Sequence, residues 1–169
     1  MKNDNPTSIL IRFIDELEIP VTRKSIHGEL QIHPEFNSLL AFSEILDNWK
    51  VPNAACSVSF EQIENLPLPF ITLLSTKQFC VVTQIDKNQV VLSTDHLTNK
   101  IFSIEEFKKL YSGSVLIAKK EANSGETDYV QKRRKEFIND WRIPVGITFS
   151  VIILLGFLLL DSSYLTDIN

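Results

Sequence analysis

Over the first fifty positions apolar residues recur at helical spacing, and after Pro52 the period changes to two. Ile9, Leu10, Phe13, Ile14 and Leu17 form one stripe behind Asn5, which can cap a helix with Pro6 in its first turn. Thr22 can cap a second, short helix carrying Ile26 and Leu30, which His33-Pro34 ends. Leu39, Phe42, Leu46 and Trp49 mark a third helix over about 37–49. Ala54, Cys56 and Val58 then alternate as in a half-buried strand, and Ser59 with Gln62 offers a capping box for one helical turn. Strands are predicted over 70–74, 79–85, 89–93, 100–102 and 115–118, with turns at Asp86-Lys87-Asn88 and 94–99. Ser103 and Glu106 form a second capping box, opening a helix through Leu110. Helices followed by an antiparallel meander predict an α+β domain.

The polar stretch 121–130, with Asn123-Ser124-Gly125-Glu126, reads as a flexible tether. Beyond it the pattern changes once more. Positions 143–160 are eighteen consecutive uncharged residues, about 27 Å of helix and close to the thickness of a bilayer's hydrocarbon core. Lys132, Arg133, Arg134, Lys135 and Arg142 precede this run, whereas 161–169 holds no Lys or Arg. The positive-inside rule then predicts a single-pass inner-membrane protein with its large domain in the cytoplasm and a periplasmic tail. The expected organisation is a domain over 1–120, a polar linker and basic juxtamembrane segment over 121–142, a transmembrane helix over 143–160 and a tail over 161–169. Trp141 is expected at the headgroup level. The polar opening Met-Lys-Asn-Asp-Asn-Pro predicts no cleavable signal peptide.

Charge and composition narrow the chemistry. A net charge of −4 argues against a nucleic-acid partner, and the basic cluster beside the span fits anionic lipid headgroups. Two cysteines, Cys56 and Cys80, are expected reduced in a cytoplasmic domain. No CxxC, HExxH or zinc-spaced His/Cys pair occurs, and the five glycines form no phosphate loop, so neither a metal nor another cofactor is expected. His27, His33 and His96 are scattered over a helix, a helix end and a turn, and surface or capping roles account for them. Asp95 fits turn geometry.

Taken together, several segments carry a resemblance. Leu66-Pro67-Leu68-Pro69-Phe70-Ile71, Gln78-Phe79-Cys80-Val81-Val82, Val90-Val91-Leu92-Ser93-Thr94-Asp95, Phe102-Ser103-Ile104-Glu105-Glu106-Phe107 and Tyr111-Ser112-Gly113-Ser114-Val115-Leu116 follow one another in an order and spacing that resembles the C39 family. These are papain-like cysteine peptidases of bacterial peptide exporters, which cut leader peptides after a double glycine. The resemblance spans roughly residues 5 to 118. It implies N-terminal helices packed with a C-terminal antiparallel sheet.

It also implies a thiolate nucleophile at the start of the first helix, an activating histidine after the double proline, and an orienting acid. Those places fall on Asn5, Gln78 and Asp95, so only the acid matches. The family's oxyanion glutamine would fall at or before Met1. No catalytic residue is therefore assigned, and the resemblance implies a pseudo-peptidase. A narrower likeness lies in His33-Pro34-Glu35-Phe36-Asn37-Ser38-Leu39-Leu40, Trp49 and Val51-Pro52-Asn53-Ala54-Ala55. It is similar to C39-like domains of certain Bacteroidota membrane proteins, often placed ahead of a vitamin K epoxide reductase-like domain that oxidises thiols.

Three functions follow as expectations. The first is a membrane-anchored, inactive C39-like domain that binds a leader peptide or a partner such as an exporter. The second is an accessory domain of a membrane thiol oxidase. The third is an active leader-cleaving peptidase with relocated residues, for which Cys80 lies on a strand rather than at a helix N-terminus.

Overall fold

The computed structural model describes residues 5–166, with side chains through 157. It divides into two compact units, the first ending at Thr127 and the second beginning at Asp128.

In the first unit, helices α1 (Asn5–Glu16), α2 (Arg23–Ile32) and α3 (Leu39–Asn48) precede strand β1 (Asn53–Ser57) and a 3-10 turn over Phe60–Asn65. Strands β2 (Phe70–Leu74), β3 (Phe79–Ile85), β4 (Gln89–Ser93) and β5 (Lys100–Ser103) follow, then helix α4 (Ile104–Leu110) and strand β6 (Tyr111–Ala118). The six strands form one sheet in the order β1-β6-β2-β3-β4-β5, with every pairing antiparallel. From β2 to β5 the sheet is the expected meander. β6 instead returns across the sheet to lie between β1 and β2. Local pattern cannot show such a pairing, because its partners lie about forty to sixty residues away.

The sheet is covered on both faces, which explains the unbroken apolar run at the start of β3. Phe79 and Val81 face the three N-terminal helices, in a core with Phe13, Phe42, Leu46 and Trp49. Cys80 and Val82 face the other way, against Phe70, Phe107 and Val115. Phe42 and Phe79 pack with ring centroids 5.0 Å apart, joining α3 to the sheet. Aromatic contacts among Phe60, Phe107 and Tyr111, at 5.8 to 6.3 Å, close the second face.

Local signals mostly act as the sequence reads. Thr22 caps α2 by accepting from Ser25 N–H, and Ser103 and Glu106 complete their capping box. Ser59 does not cap: its side chain makes no such bond, and the turn after it is a six-residue 3-10 segment.

The stretch read as a flexible tether is in fact strapped down over 121–126. Gly125 N–H donates to Trp49 O (2.8 Å), Glu126 N–H to Pro20 O (3.0 Å) and the buried Ser124 hydroxyl to Lys50 O (3.0 Å). Gly125 is required there. Its φ is +121°, and a Cβ would lie 2.5 Å from Pro20 Cγ. The first unit thus extends past residue 120.

The second unit is helix α5 (Tyr129–Thr166), in which the basic segment and the apolar run are continuous. Over Tyr129–Phe157 it is long and apolar enough to cross a membrane. Two of its hydroxyls bond to its own backbone: Thr148 donates to Pro144 O and Ser150 to Gly146 O, each at 2.9 Å. Such i−4 bonds satisfy the hydroxyls within the helix itself. The side chains of 158–160, which complete the expected span, lie outside the described residues, as do the tail's 167–169 and the Met1 region expected to lack the oxyanion glutamine.

Candidate functional site

The first turn of α1, the start of β3 and the turn after β4 converge at one end of the sheet. Asn5 sits at that junction. Its Nδ2 donates to Phe79 O (3.1 Å) and to Asp95 Oδ1 (3.2 Å), while its Oδ1 accepts from Phe79 N–H (2.8 Å). Asn5, expected to cap a helix and to fall at the family's nucleophile place, thus bonds to backbone 74 positions away and holds α1 against β3. The fold presents Asn5 there because Ile9, Phe13 and Ile14 seat α1 on the same core as Phe79.

Asp95 lies at the centre of the cluster. Its side chain is only 12% exposed, and its second oxygen, Oδ2, is 3.0 Å from Nε2 of the largely exposed His96. The 94–99 turn is held by its own bonds: Thr94 N–H donates to Leu97 O (2.7 Å), and Thr94 Oγ1 accepts from Leu97 N–H (3.2 Å). Asn5 and Asp95 are thus brought together. Gln78, immediately before β3, is exposed, and its carbonyl accepts from Leu74 N–H (2.8 Å). His96, expected to be a surface or capping residue, joins this cluster through Asp95.

The thiols lie elsewhere. Cys80 is fully buried on the α4 side of β3, and burial pushes its thiol up to about 12. Cys56 is exposed on edge strand β1, three strands from β3 and so about 14 Å across the sheet. Neither sulfur stands at a helix N-terminus. An amide at Asn5 has no ionisable proton to give up and no basic lone pair, so the cluster offers acceptors and donors but no strong nucleophile. Among the described residues, no group of three His, Cys, Asp or Glu side chains could hold a metal ion.

The family model for peptidase C39 matches residues 10–123, a span that includes Gln78 and Asp95 and begins just after Asn5. The chain belongs to the peptidase C39 family. Solved structures share its fold at low identity. One is a double-glycine-motif protease from an AMS/PCAT transporter in complex with the leader peptide (13% identity, TM-score 0.63, covering 70% of this chain and 85% of that one). Another is the N-terminal peptidase C39-like domain of the toxin secretion ATP-binding protein from Vibrio parahaemolyticus (16%, TM-score 0.59, 72% and 100%). A third is the peptidase domain of Streptococcus ComA, a bi-functional ABC transporter involved in quorum sensing (13%, TM-score 0.60, 70% and 92%). No curated protein matches the chain in sequence. The C39 fold accounts for the helix-then-sheet order.

Proposed function

We propose that this C39 domain holds a peptide at the cytoplasmic face of a membrane without cutting it, with α5 as its anchor. The observation that carries the reading is Asn5. Where the family resemblance expects a thiolate, this chain has an amide whose oxygen and nitrogen are both committed to Phe79, with the nitrogen also shared with Asp95. Gln78 in the histidine's place supplies no general base near pH 7. The fold remains able to bind, because a groove needs shape and polar rims rather than a nucleophile. That one structural relative is in complex with a leader peptide supports a peptide as the ligand class. The basic residues ahead of the apolar run, with Phe137 and Trp141 paired at 5.9 Å, support a cytoplasmic orientation and contact with anionic lipid.

The test is a titration of the full chain, in nanodiscs, into a fluorescent double-glycine leader peptide. Saturable binding is the expected result. Absence of binding to any such peptide would overturn the reading.

A further inference from the structure

A concave surface lies at the end of the domain opposite Asn5. Asn5 is bound to Phe79, which pairs with Leu73 near the end of β2. The other end of β2, where Phe70 pairs with Ile117, borders an open groove of about 420 Å³. Leu17, Pro67, Leu68, Ile117 and Ala118 line it. Leu17 directly follows the last turn of α1, so the length of that helix, about 18 Å, separates this groove from Asn5. Leu68 is 42% exposed there, and the neighbouring edge strand β1 presents Ala54, Ala55, Cys56 and Ser57 to solvent without a charge.

The rim decides what fits. The chain is acidic overall, at −4, yet both charged residues lining the groove are lysines, Lys119 and Lys120. Lys120 Nζ donates to Glu18 O. Lys119 has no carboxylate partner among the described residues. An apolar trough ending in an uncommitted ammonium group is complementary to an apolar segment that carries carboxylates. We infer that this groove docks an acidic, apolar peptide segment of a partner protein. The inference rests on the peptide-holding reading and moves the contact away from the Asn5 end.

The test uses the full chain in nanodiscs of zwitterionic lipid and two fluorescein-labelled amphipathic probes, a Glu/Leu peptide and its Lys/Leu counterpart. The Glu/Leu peptide should bind at least about tenfold more tightly, a difference of about 1.4 kcal/mol. Leu68→Glu and Lys119→Glu, both at exposed positions that leave the core intact, should each weaken it about tenfold, with far-UV circular dichroism unchanged. Asp95→Ala, at the far end, should change it by less than about twofold. Equal binding of both probes, or indifference to the two groove variants, overturns the assignment. Loss of binding only in Asp95→Ala also overturns it, while leaving peptide holding intact. Failure of these probes and of a double-glycine leader alike removes both readings. If Lys119→Glu instead lowers only the affinity for phosphatidylserine vesicles, the rim faces lipid and the peptide assignment falls.

Discussion

Asn5→Ala removes three hydrogen bonds at once and tests whether Asn5 bridges two elements or merely caps one. Two of those bonds run to the backbone of Phe79, a residue 2% exposed, and one runs to the Asp95 carboxylate. Neutral bonds are worth about 0.5–1.5 kcal/mol net and bonds to charged groups about 1.5–3 kcal/mol. Asn5 is half-buried, so water replaces part of the loss. The expected cost is therefore about 2–3 kcal/mol rather than the full sum. Asn5→Asp separates the two roles. As a helix cap, Asp equals Asn. As a bridge it fails, because a second carboxylate oxygen would face Phe79 O and the Asp95 carboxylate, leaving only the acceptor for Phe79 N–H.

Urea unfolding of the full chain in nanodiscs, followed by Trp49 fluorescence in a Trp141→Phe background, reads the difference. Both variants should lower the midpoint with an unchanged m-value. If Asn5→Asp is as stable as the parent at pH 7, the bridging account is refuted.

Other expectations follow from single features. Gly125→Ala should cost at least about 1–3 kcal/mol from backbone strain alone, and proteolysis should open at 121–127, which mass mapping of the fragments detects. In the native chain a maleimide dye should label Cys56 only, and Cys80 should react once urea is added. Because the Cys80 thiol is raised from 9.0 to about 12 on folding, the folded state is favoured fully below pH 9 and loses stability as pH climbs through that window, by up to about 1.4 kcal/mol per unit. Cys80→Ala should flatten that part of the alkaline profile, whereas the contribution of Tyr111, whose phenol burial also pushes up to about 12, remains in both proteins. Ser103→Ala, which breaks the capping box on α4, should cost about 1 kcal/mol by the same urea assay.

What the sequence reveals about this domain is largely what is local. The stripe of Ile9, Phe13 and Ile14 and the run from Phe79 to Val82 both report burial directly, and they yield α1 and β3 with nearly their observed bounds. The return of β6 to pair with both β1 and β2 leaves no local mark, and its polar first half, Tyr111-Ser112-Gly113-Ser114, hides half of the strand. Composition also misjudges 121–126. Asn, Ser and Gly read as a tether because the bonds that hold them run to the backbone carbonyls of Pro20, Trp49 and Lys50, which any residue would offer.

The candidate site divides the same way. Asn5 and Asp95 are visible only through family resemblance, since nothing near either one announces a partner across the fold. Once the fold is present, their contact follows from geometry. The lysine-rimmed groove beyond Leu17 has no such signal, because it arises from elements that meet only in three dimensions.

The central claim, a C39 domain that holds peptide without cleaving it, is tested most directly by mass. The full chain in nanodiscs is incubated with a double-glycine leader peptide, and the peptide is weighed over time. Intact peptide throughout, together with saturable binding at the same concentrations, is the predicted result. Appearance of the fragment ending in the double glycine, abolished by Cys56→Ala or Cys80→Ala, would contradict it.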